Sequence, residues 1–163
     1  MEAVYLLLLA HVKENLKGCQ IHNSYMLPPP KSLILHPTAT SLVIWIGANH
    51  IKVSPIPPRN CIVFCDGEHI EYGLVQEVLL FNDSLGGTRT SILIHVIINC
   101  FAKDLKSPRK KFHFLCYMMK VVIGRVSTIK RFICPSKIIS NAAYQNLPPN
   151  SFGICTNGIA LTP

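Results

Sequence analysis

Apolar residues recur along this chain in two different rhythms. In residues 2–17, Tyr5, Leu8, Leu9, Val12 and Leu16 fall at helical spacing, with Lys13 and Lys17 near the end and Gly18 as a stop. That spacing predicts an amphipathic N-terminal helix over 1–17. Pro28, Pro29 and Pro30 cannot continue a helix, so 18–31 reads as an extended Pro-rich linker. From Ser32 onward the apolar runs are short, rich in Ile and Val, and broken by Pro55, Pro57, Pro58, Gly86, Gly87 and Pro108, the signature of strands.

The clearest strands are 42–46, 61–65, 91–101 and 112–126. Asp66-Gly67 lies between 61–65 and 69–75 and supplies the positive φ that a two-residue turn needs, which predicts a hairpin with Asp66 and Gly67 as the turn. Ile92, Leu93, Ile94, Val96, Ile97 and Ile98 are apolar on both faces of any strand they form, so that strand must be central. Beyond Ser136 the chain is rich in Asn, Pro and Gly, and little fixed structure is expected. The resulting class is α+β: an N-terminal helix, the linker, a β-rich body of short strands and hairpins over 32–135, and an irregular tail over 136–163. A partly disordered or poorly packed chain is the alternative.

Charge changes this picture. Charged residues are only 15% of the sequence, and the shortage is acidic: 16 Lys and Arg stand against 8 Asp and Glu. Residues 1–83 carry five basic and seven acidic side chains, whereas residues 84–163 carry eleven basic ones and a single acid, Asp104. The C-terminal half is therefore the expected contact surface for nucleic acid or an acidic protein, drawn by Coulomb attraction and counterion release without sequence specificity. Residues 32–51 lack Lys, Arg, Asp and Glu, but Pro37, His36, His50 and Asn49 dilute them, so a strand is expected there and not a membrane span.

The segment Lys106-Ser107-Pro108-Arg109-Lys110-Lys111 is the short motif with the clearest mechanism. Its Ser-Pro-basic-basic core resembles the units of linker-histone tails that lie along A·T-rich minor grooves, and Ser-Pro-x-Lys resembles a proline-directed kinase site. A phosphate on Ser107 would cancel part of the local charge. Anion or nucleic-acid contact is expected from Lys106, Arg109, Lys110, Lys111, Arg125, Lys130 and Arg131, with Lys137 downstream, in a module spanning 103–137. Phe112, Phe114 and Tyr117 adjoin it as aromatic residues, although alternation along a strand denies them a single stacking face.

Catalytic and metal patterns are weak. Cys61, Cys65 and His69 form a Cys-x3-Cys-x3-His run, but a hairpin at Asp66-Gly67 turns His69 to the face opposite the two thiols. The thiols themselves would lie about 13 Å apart along a strand, too far for one zinc. No Gly-x-Ser-x-Gly elbow or phosphate-binding Gly-rich loop occurs, and the carboxylates Asp66, Glu68, Glu71, Glu77 and Asp83 scatter across strand edges. No cofactor is expected, and a thiol or metal enzyme ranks last.

Seven cysteines, an odd number, follow an N-terminus without a small-residue cleavage site, so reduced thiols in the cytoplasm or nucleus are expected. Scarce acids, abundant Cys, His, Pro and Ile, and modest amphipathic patterning are those of a short reading frame little refined for function. A chain with no recognisable biochemical activity is the leading expectation, and a basic binding module the alternative.

Overall fold

The computed structural model describes residues 34–35, 41–46, 49–82, 88–100 and 116–162. The expected α+β class is corrected: these residues are nearly all β, with 66% in strands and 9% helical, and no helix comparable to the one expected at the N-terminus occurs among them. Residues 1–33, which include the helix expected over 1–17 and the whole Pro-rich linker expected over 18–31, lie outside the described residues.

Among the described residues ten strands follow in chain order: β1 (Ile34–Leu35), β2 (Leu42–Ile46), β3 (Asn49–Val53), β4 (Cys61–Asp66), β5 (His69–Asn82), β6 (Thr88–Asn99), β7 (Val122–Ile133), β8 (Ile138–Asn141), β9 (Ala143–Asn146) and β10 (Gly158–Thr162). Seven of them form one curled antiparallel sheet in the order β8-β4-β5-β6-β7-β10-β9, and β1 pairs with the far end of β5. β2 and β3 form a separate hairpin.

The sheet curls because its two edges belong to one stretch of chain. β8 pairs with β4 and β9 pairs with β10, yet only Ala142 separates β8 from β9. The Ala142 N–H donates to the Cys61 carbonyl at 3.0 Å, carrying the β4 contact through the junction. β8 and β9 are thereby the two edge strands of the sheet, each paired on one side only. The expectation of an irregular tail over 136–163 is corrected by the same finding, since β8, β9 and β10 all lie there. The Asn, Pro and Gly signals mark the breaks between these short strands, and pairing to longer neighbours overrides their weak propensity.

Two cores occupy the two faces. Ile62 and Phe64 of β4, Val75 and Val78 of β5, Ile92, Ile94 and Val96 of β6, Ile133 and Ile138 pack on one face, where Val53, Leu42, Ile44 and Ile51 of the β2–β3 hairpin cover them. Cys61, Val63, Tyr72, Ile97, Ile159 and Leu161 pack on the other, with Ala142 and Tyr144 against them. β4 and β10 meet in that second core although three strands separate them along the sheet, which is what curling accomplishes.

Local irregularities set the faces. The register of β5 against β6 shifts between Val75 and Glu77, leaving Gln76 unpaired. Val75 and Val78 can therefore both face the first core despite their odd separation. β6 lies between β5 and β7 and is buried on both faces, as its apolar run requires.

The β4–β5 hairpin occurs, with its turn one residue later than expected. Asp66 pairs with His69, so Gly67 and Glu68 are the turn residues, and Gly67 takes the positive φ of 67° at the first central position. The strand expected over 112–126 is also displaced. A helical turn at residues 116–118 precedes it, and Lys120 at φ 52° breaks the extended run before β7 begins at Val122.

Close strand approach yields a stability test. A Cβ at Gly124 would stand 2.7 Å from Ile97 Cγ2 and 3.1 Å from the Ile98 carbonyl oxygen, whereas one at Gly73 would meet only the Ile94 side chain, nearest its Cδ1 at 2.6 Å. Gly124→Ala is expected to cost about 1–3 kcal/mol in urea unfolding, and Gly73→Ala a comparable amount, because Ile94 Cβ, 3.1 Å from the added atom, is fixed to the main chain. A urea midpoint left unchanged by Gly124→Ala would contradict the close main-chain approach there.

Candidate functional site

Of the basic residues expected to act together, those that are described are dispersed. Lys106, Ser107, Arg109, Lys110 and Lys111 lie outside the described residues. Arg125 and Lys130 are both exposed on β7, but Arg125 pairs with Ile98 and Gly158 while Lys130 pairs with His95, positions on opposite faces of the sheet. Arg131 is drawn into an ionic network instead: its Nη1 donates to Asp66 Oδ2 and to Glu71 Oε2, each at 2.9 Å. Lys137 Nζ donates to Asp66 Oδ1 at 2.8 Å.

This network joins the acidic and basic halves of the sequence. The Arg131–Asp66 and Lys137–Asp66 bonds span separations of 65 and 71 residues. Two cations and two carboxylates make a locally neutral cluster, so Arg131 and Lys137 have little charge left for a partner. The hydrogen bond from Lys137, aided by the positive charges of Lys137 and Arg131, holds the Asp66 carboxyl below its ordinary value. At 40% side-chain exposure such pairs contribute about 1 kcal/mol or less each.

Five other cations stand differently. Lys52, Arg59, Lys120, Arg125 and Lys130 are exposed, and among the described residues no carboxylate lies within ion-pair distance of any of them. Lys52 and Arg59 line one cleft of about 360 Å³ together with Ser41, Ser54, Ile56, Pro57 and Pro58, none of them acidic. The Ser54 N–H donates to the Arg59 carbonyl at 3.1 Å and the Ile56 N–H to Ser54 Oγ at 3.1 Å, so the loop that carries Arg59 is tied back to the end of β3. Alternation on β2–β3 explains the position of Lys52: Leu42, Ile44, Ile51 and Val53 turn inward, and Val43, Trp45, His50 and Lys52 turn outward.

A second cleft of about 470 Å³ opens where β6 and β7 change register, lined by His95, Val126, Ser127, Thr128, Asn146, Leu147, Asn157 and Gly158. Ser127, Thr128 and Ile129 stand opposite Val96 alone between the His95–Lys130 and Ile97–Val126 pairs. Ser127 Oγ donates to the Val96 carbonyl at 2.8 Å and accepts the Ile129 N–H at 3.2 Å, satisfying groups that the bulge unpairs. His95 Nδ1 lies 3.0 Å from the Ser127 carbonyl, which can only accept, so this nitrogen carries a proton. The Ser127 proton goes to main chain and not to His95, so the pair forms no nucleophile–base relay.

Burial makes three of the thiols less reactive. Cys61 is wholly buried, and burial pushes its thiol up to about 12. Burial also raises Cys116 and Cys134, the latter against the pull of Lys137 and Arg89. Among the described residues the six cysteines form no disulfide. The register puts Cys61 and Cys65 opposite Leu74 and Ile70, on the face away from His69, so the later turn leaves the sides of the Cys-x3-Cys-x3-His run unchanged. Among the described residues no group of three or more His, Cys, Asp or Glu could hold a metal ion, and no helix is long and apolar enough to cross a membrane.

Lys52 and Arg59 were not among the residues expected from the sequence. Counting charge by halves directed attention to 103–137, while the available signal was a lysine at an outward position of an alternating strand. Comparison with family models, with curated proteins and with solved structures finds no match to this chain.

Two measurements follow from this chemistry. A carboxyl held low in the folded state contributes stability that is present above its ordinary value of 3.8 and lost as pH falls below it. Asp66→Asn is therefore expected to lower the urea midpoint at neutral pH, with the gap from wild type closing in acid; a gap that persisted there would rule out the ionic origin. In native alkylation at mildly alkaline pH, exposed Cys155 is expected to label first and Cys61 last, with unfolding removing the difference.

Proposed function

We propose that this protein is a non-enzymatic binding module for polyanions, with nucleic acid as the partner. The observation that supports it best is the set of five exposed cations without compensating carboxylates among the described residues, two of which, Lys52 and Arg59, share one cleft. Phosphates meeting such side chains release condensed counterions, which drives association without base readout. The full chain's net charge of +8 acts in the same direction. Lys106, Arg109, Lys110 and Lys111 extend the same chemistry, and phosphorylation of Ser107 would weaken it.

The competing expectation, a chain with no biochemical activity, shares this fold and parts from the proposal only in solution. Fluorescence anisotropy of labelled single-stranded and duplex oligonucleotides should report binding that weakens steeply with salt, each phosphate contact adding about 0.7 to the log–log slope for a single strand and about 0.9 for a duplex. The double variant Lys52→Ala/Arg59→Ala should lower that slope by about 1 to 2. Absence of binding at low salt, or a slope unaltered by the double variant, would overturn this reading.

A further inference from the structure

We infer that the outward face of the β2–β3 hairpin is a stacking platform that selects single-stranded nucleic acid, with Trp45 taking a base and Lys52 and Arg59 taking the adjoining phosphates. The inference rests on the polyanion reading and adds to it the part of the ligand that charge alone does not recognise.

Four residues alternate outward on the hairpin, Val43 and Trp45 on β2 against Lys52 and His50 on β3. Trp45 is 70% exposed and Val43 48% exposed, although the opposite face of the same strands packs on the first core. Scattered apolar side chains on a surface are ordinary. Here, however, the largest ring in the chain stands near the turn end of a two-stranded face, diagonal to Lys52, which has no carboxylate within ion-pair distance among the described residues. The Trp45 and His50 rings lie with centroids 5.1 Å apart and planes tilted by 50°, so the indole is braced from across the strand pair and stays presented.

Lys52 connects the two halves of the site. It is the cross-strand partner of Val43 and also lines the cleft shared with Arg59. Ile56, 66% exposed, continues the apolar surface along that cleft. An aromatic face with cations at its border is the arrangement that binds single strands: any base has a π-face to stack, and the backbone runs along the positive groove. Paired bases are already stacked and cannot reach the indole, so a duplex gains only the charge term. Complementarity of charge argues for this occupant over a second copy of the chain, which would bring Lys52 and Arg59 against their own kind.

Trp45 is the only tryptophan in the sequence, so intrinsic emission reads this site alone. The full chain is titrated with oligothymidylate, with a duplex of equal length and with heparin, a polyanion without bases, at one ionic strength. Saturable quenching of Trp45 by the single strand, with little change on heparin binding, is expected. Trp45→Ala should weaken single-strand binding by about fivefold or more while leaving heparin affinity and the thermal melt near wild type, and Trp45→Phe should retain most of the binding.

Single-strand binding that neither quenches Trp45 nor responds to Trp45→Ala would overturn the platform and leave the polyanion reading standing. Failure of all three polyanions to bind would overturn both. A shift of Trp45 emission that follows protein concentration without any nucleic acid would assign the face to a second copy of the chain, and would overturn the platform as well.

Discussion

The five strands β4-β5-β6-β7-β10 leave two outer edges, each a row of N–H and C=O groups in need of partners, and here a single stretch of chain meets both. Residues 138–146 pair with β4 through β8 and with β10 through β9, with one residue between the two. Both pairings can hold only if β4 and β10 approach each other, so the sheet must curl. The curl in turn creates the second core, where Cys61 and Val63 meet Ile159 and Leu161. It also frees the other face of β4, β5 and β6 to take the β2–β3 hairpin as a cover.

Curling long strands requires places where the ladder gives way. Gln76 on β5 and the stretch of β7 opposite Val96 supply them, and each has a consequence beyond geometry. The first resets the alternation of β5, so that apolar residues at odd separation serve one core. The second opens the cleft beside His95 while committing Ser127 to main-chain hydrogen bonds on both sides. A serine and a histidine brought together in this way stabilise a bulge, and their protons are already placed on carbonyls.

Electrostatics follows the same logic of pairing. Asp66 and Glu71, two of the acids of the β4–β5 hairpin, are met by Arg131 and Lys137 from the far half of the sequence, which commits those two cations to an internal network. Among the described residues, five exposed cations have no carboxylate within ion-pair distance. Lys52 and Arg59 are among them, and the folding of the hairpin over the first core turns Lys52 outward next to Trp45. The proposed contact surface is therefore a consequence of which acids the fold consumes.

Much of the strand content was legible in the residues themselves. β2 has the predicted bounds, β4 extends the predicted run by one residue, and the burial of β6 on both faces follows from six apolar residues that leave no polar side. Local chemistry reaches that far because alternation and turn propensity act over neighbouring residues. It misjudged 136–163, where four- and five-residue strands depend on partners up to about eighty positions away in sequence, and it could not show that Arg131 and Lys137 are committed to Asp66 and Glu71, because a charge count along the chain does not record which carboxylate folds against which cation. Sequence by itself determined that these segments would be extended, apolar and poor in acid. Only the tertiary structure decided their register, their curl and the identity of the cations left without a carboxylate, because those depend on contacts between residues far apart in the chain.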